Sequence, residues 1–134
     1  MAALWMIGVE DAPDRSAEIC VAEIFGRDVG PAGAAVGMGV HPFGDPRMTD
    51  QWAQQPIAVD VTQFHVYAVE WTAERVAFFV DDALVTVVGQ SPAYPMQFML
   101  GLYAFPDDEG SLPAASSPRE FVVDRFTAYR RDGG

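Results

Sequence analysis

The chain has 134 residues, half of them hydrophobic, and a net charge of −11 from 19 acidic and 8 basic side chains. That length and apolar content suit one domain with its own core and exclude a disordered chain. So few cations exclude a nucleic-acid partner held through its phosphate backbone. A single cysteine excludes an intrachain disulfide, and leaves Cys20 as a buried small hydrophobe, a free thiol or a member of a site.

The 12 glycines and 10 prolines are spread along the chain and break it into short segments, so the reading is all-β. The apolar start, Met1 to Gly8, lacks the basic lead and the length of a secretory signal, and no run approaches a membrane span. Residues 3–8 read as an interior strand. Strands are expected next at 17–25 and 35–41, followed by a long loop over 42–55 that is rich in Pro, Asp and Gln. In 64–71, Phe64, Val66 and Ala68 alternate with His65, Tyr67, Val69 and Trp71, so both faces are largely apolar. A strand of that kind is expected to be covered on both sides, as inside a two-sheet sandwich. Thr72-Ala73-Glu74 turns the chain into 75–81, where Val76, Phe78 and Val80 form an alternating row. Asp81-Asp82-Ala83 then turns it into 84–88, completing a three-stranded meander. The last strands are expected at 96–103 and 120–129. Between them, Asp107-Asp108-Glu109-Gly110 reads as a solvated loop, because the ligand spacing of a calcium loop is absent.

The chemistry-bearing stretch is Glu18-Ile19-Cys20-Val21-Ala22-Glu23. Strict alternation places Glu18 and Cys20 on one face of a strand and Glu23 on the other. A β-bulge, with its one extra residue, turns Glu23 to the face of Glu18. Two carboxyl groups on one face suit glycoside hydrolysis, which needs one to donate a proton to the leaving oxygen and another to attack carbon or activate water. Four effective strand steps set the two Cα atoms about 13 Å apart. Both side chains must then lean inward to reach the roughly 5–5.5 Å of a retaining enzyme. One cysteine and two histidines with no recognisable ligand spacing give no metal motif.

The order of landmarks carries a resemblance. Trp5-Met6-Ile7-Gly8 precedes the Glu18 to Glu23 run, a strand ending in His41 follows, then Phe64-His65-Val66-Tyr67-Ala68-Val69-Glu70-Trp71, Phe78-Phe79-Val80-Asp81 and Val123-Asp124-Arg125-Phe126-Thr127-Ala128-Tyr129. From Trp5 to Tyr129 this resembles glycoside hydrolase family 16, the laminarinase and lichenase group. The "E-x-D-x-x-E", "F-H-x-Y-x-x-E-W" and "V-D-x-x-x-x-Y" segments stand in the family's order.

The resemblance implies a concanavalin A-like β-jelly roll forming a single domain over 1–134, incomplete at its N-terminal side, with a sugar cleft on its concave sheet. It also implies a retaining, endo-acting mechanism on β-linked glucans or galactans. Glu18 would be the nucleophile, Glu23 the general acid/base, Trp5 the aromatic that stacks on the sugar, and His41 a polar cleft residue. Asp124 matches a position that contributes to a structural calcium site in some members, and no other cofactor is implied. Phe64, His65, Tyr67 and Trp71 read as structural.

Two departures stand out. Cys20 takes the place of the aspartate that tunes the nucleophile, and Asp82 that of a turn glycine. Missing strands would leave sheet edges for a second chain to cover. Export from the cell is implied by the family, with no signal in this chain. A non-catalytic carbohydrate-binding sandwich and an inactive fragment are the alternative readings.

Overall fold

The computed structural model describes residues 1–9, 11–105 and 119–130. Contacts divide the chain into two units, Met1–Ala104 and Phe105–Gly134.

Among its described residues the first unit holds eight strands and no helix: β1 (Ala2–Gly8), β2 (Glu18–Gly30), β3 (Gly33–His41), β4 (Ala53–Ile57), β5 (Tyr67–Trp71), β6 (Val76–Val80), β7 (Ala83–Val88) and β8 (Met96–Leu102). Five form an antiparallel sheet in the order β4-β3-β2-β1-β8, and three form the β5-β6-β7 meander. Period-two alternation decides what each face does. Ile19 and Ala22 of β2, Val36, Met38 and Val40 of β3 and Ile57 of β4 point inward. They meet Val76, Phe78 and Val80 of β6 and Val88 of β7 in one core, with Leu4, Met6, Tyr67 and Val69 packed against it. Phe78 is fully buried at its centre, and truncation of such a ring costs about 3–5 kcal/mol. The alternate positions, Ala3, Trp5, Glu18, Glu23, Gly37 and His41, occupy the opposite face of the large sheet.

The expected meander is present, and its second turn is tighter than expected. Val80 pairs directly with Ala83, which leaves Asp81 and Asp82 as a two-residue loop with φ of 47° and 65°. Positive φ at both positions is the hairpin turn whose twist matches the flanking strands, and it favours glycine. Asp81 offsets its strain by accepting hydrogen bonds from the Val66 amide at 2.9 Å and from His65 Nδ1 at 2.7 Å. Asp81 holds the His65 imidazole above its usual pKa, and the Val66 amide holds the Asp81 carboxyl below its own. His65 and Trp71, whose indole donates to the Pro92 carbonyl at 2.9 Å, are tied into the framework, as the sequence reading expects.

Three expectations are corrected. The loop over 42–55 contains the start of β4, which pairs with β3 from Met38↔Ala53 to Ala34↔Ile57. Its sequence, Ala-Gln-Gln-Pro-Ile, lacks apolar alternation because it is an edge strand, the one place in a sheet where a residue such as Pro56 is tolerated. The strand expected to be covered on both faces starts only at Tyr67, and Phe64 and Val66 are 70% and 52% exposed. Its inner face packs and its outer face meets water. The strand expected at 120–129 does not form: residues 119–130 of the second unit are irregular, and Val122, Phe126 and Tyr129 are exposed. An apolar pattern yields a strand only where a neighbouring ladder accepts its backbone groups. The acidic run Asp107 to Gly110 lies outside the described residues.

Candidate active site

The bulge required by the Glu18 and Glu23 spacing is present. On the β1 side, Leu4 pairs with Ala22 and Trp5 with Cys20, skipping Val21. On the β3 side, Cys20 pairs with Gly39 and Glu23 with Gly37, so Val21 and Ala22 of β2 oppose the single Met38 of β3. The extra residue restores Glu23 to the face of Glu18 and Cys20. Glu18 lies opposite His41 and Glu23 opposite Gly37, four steps apart on the partner strand. Trp5, paired with Cys20, stands between the two carboxylates. Trp5, Glu18 and Glu23 together with Met1, Ala3 and Tyr103 line an open groove of about 180 Å³.

Burial, and secondarily the charge of Glu23, push the Glu18 carboxyl above its usual pKa against an opposing pull from His41. Cys20 is fully buried, and burial reinforced by Glu23, Glu18 and Asp50 pushes its thiol far upward. It is therefore a neutral thiol, a weak hydrogen-bond donor at the position between the two carboxylates.

Four residues of the site escape the sequence reading. Trp52, just before β4, donates its indole N–H to Glu23 Oε2 at 2.7 Å, a bond that orients the carboxyl group. Its ring stacks on His41 at 5.7 Å and lies so close over β3 that a Cβ on Gly37 would fall 2.4 Å from Cζ2. Gly37 is thus the space the indole occupies. Asp50 binds His41 Nδ1 at 3.2 Å and accepts from the Trp52 amide at 3.1 Å, and that amide, followed by His41, holds its carboxyl below the usual range.

The loop carrying Asp50 and Trp52 is anchored at both ends. The buried Asp45 receives Arg47 through Nε and Nη2, each at 2.9 Å, and Gln51 donates to the Val40 carbonyl at 3.0 Å. The fourth residue is Tyr103, whose ring fills the space a Cβ on Gly101 would need. The dense run of Asp, Trp and Gln around position 51 is the only signal in the chain that could have pointed to Asp50 and Trp52. Asp124 is exposed in the second unit, and the one group of three clustered potential metal ligands among the described residues does not include it.

The fold is an antiparallel two-sheet β-sandwich that presents paired carboxyl groups and aromatic rings in an open groove. Residues 1–111 match the family model of the glycosyl hydrolases family 16, and the chain belongs to that family. Crh-like protein 2 of Botryotinia fuckeliana is 31% identical over 99 residues, covering 64% of this chain and 22% of that protein. The Crh-like protein of Arthroderma benhamiae is 30% identical over 95 residues, covering 64% of this chain and 20% of that protein. The chain therefore spans about a fifth of the length of these curated relatives. Among solved structures, a GlcNAcα1-4Gal-releasing endo-β-galactosidase from Clostridium perfringens shares the fold. Its TM-score is 0.60 at 24% identity, over 74% of this chain and 26% of that one.

Proposed function

We propose that the groove is the reaction centre of a retaining, endo-acting glycoside hydrolase that cleaves a β-linked polysaccharide, a β-glucan or a related polymer, outside the cell. The observation that carries this reading is the bulge at Val21, which sets Glu18 and Glu23 on one face with Trp5 between them. Glu18, ionised, attacks the anomeric carbon. Glu23, protonated, gives its proton to the departing glycosidic oxygen, so the C–O bond breaks as a glycosyl ester to Glu18 forms. Glu23 then takes a proton from water, whose oxygen displaces Glu18 and restores the original configuration. The Trp5 face stacks on the sugar's C–H bonds at the cleavage point. His41 supports the anion of Glu18, the indole of Trp52 holds Glu23 in place, and an open groove admits the interior of a chain. These roles are carried by side chains alone.

The stereochemistry of the first product tests the reading. Proton NMR of a fresh digest of laminarin or lichenan is expected to show the β-anomer before mutarotation. An α-anomer would overturn the retaining assignment. Saturable oligosaccharide binding without any product would replace it with a binding sandwich.

A further inference from the structure

The groove face carries a second constellation that hydrolysis does not use as such. One potential ligand atom each of Cys20, Glu23 and His41 lies within 4.8 Å of the other two. We propose that these three side chains form a binding site for a thiophilic divalent cation, zinc above all, on the outer face of the large sheet, where Glu23 also lines the groove.

The donor set itself selects the class of ion. A thiolate sulfur, a carboxylate oxygen and an imidazole nitrogen are ligands of zinc and its transition-metal neighbours, whereas calcium and magnesium take oxygen almost exclusively. Three protein ligands leave the fourth tetrahedral position open. Zinc bonds of about 2.0–2.3 Å place ligand atoms roughly 3.5 Å apart. The trio must therefore close by about 1 Å. Cys20 is fully buried, so the closing movement falls to the part-buried Glu23 and His41.

The second observation lies behind the ligands. Asp50 engages His41 Nδ1 at 3.2 Å, the carboxylate–imidazole arrangement that fixes the tautomer in zinc sites and leaves the Nε2 lone pair for the metal. Trp52 holds Glu23 through Oε2 and leaves Oε1 for a ligand bond.

On binding, the Cys20 S–H bond breaks, its proton passes to solvent, and a sulfur–metal bond forms with no change of oxidation state. Glu23 would then be held on the metal and could not deliver a proton to a leaving oxygen. Reversible inhibition of hydrolysis by zinc follows, a consequence that rests on the function proposed above, whereas binding does not.

Cobalt(II) titration of the full chain reads the site directly, through the thiolate-to-metal charge-transfer band in the near ultraviolet. One cobalt per chain is expected, displaced by zinc, with the band lost in Cys20→Ser. Affinity should fall roughly tenfold or more in His41→Gln. Circular dichroism of each variant reports the sheet, and the part-exposed position 41 keeps the test usable if Cys20→Ser does not fold. Absence of the band at millimolar cobalt, or binding unchanged in His41→Gln, would overturn the site. A bound metal without inhibition would uphold the site and contradict the role given to Glu23.

Discussion

In the proposed mechanism, Cys20 decides how good a nucleophile Glu18 can be. A carboxylate in a half-buried position is stabilised by hydrogen bonds to its charged form, and each is worth about 1.5–3 kcal/mol. A buried neutral thiol supplies little of this, and burial, followed by the charge of Glu23, holds the Glu18 carboxyl above its usual pKa. Replacing Cys20 with Asp places a stronger, titratable donor at the same position. Turnover on β-glucan is expected to rise about tenfold to a hundredfold. The acidic limb of the pH–rate profile, expected above the ordinary Glu value of 4.5 for the native chain, should move to lower pH. Initial rates across pH check both, and a fall in rate would show that the thiol has a positive role.

At the scale of elements, the site is a property of β2, β3 and the loop between β3 and β4. Gly37 supplies the space in which the Trp52 indole reaches Glu23, so Gly37→Ala must push the ring away. The expected result is a loss of turnover of about tenfold with the sheet intact, measured as kcat beside circular dichroism. The β6–β7 turn gives an independent test. Asp82→Gly relieves a left-handed non-glycine residue and is expected to raise stability by about 1 kcal/mol in denaturant titration. Asp81→Gly should destabilise, because it removes the partner of His65 and of the Val66 amide.

These same elements show what the sequence could reveal. Alternation in Val76, Phe78 and Val80 marks a core face unaided, and the Glu18 to Glu23 spacing demands a bulge as soon as both carboxylates must share a face. β4 and Trp52 were not legible, because an edge strand needs no apolar row and the indole acts on a residue 29 positions away through space. The absent strand at 120–129 is the converse case, an apolar pattern that no ladder accepts.

For the whole molecule, one sheet serves two purposes with opposite demands. Its inner face packs against the meander, and its outer face keeps Glu18 partly out of water, where ionisation is costly. Because the folded chain holds the Glu18 proton more tightly than the unfolded one, the stability this group contributes is complete below pH 4.5 and is lost as the pH rises through the folded value. Glu18→Gln should therefore raise the thermal midpoint at pH 7, with a gain that shrinks toward pH 4, as expected where function is held at the expense of stability. The same variant gives the most direct measurement of the central claim, the release of reducing ends from β-glucan by native chain and Glu18→Gln side by side. If Glu18 is the nucleophile of a retaining pair with Glu23, the variant loses turnover by several orders of magnitude while remaining folded. Unchanged turnover would contradict it.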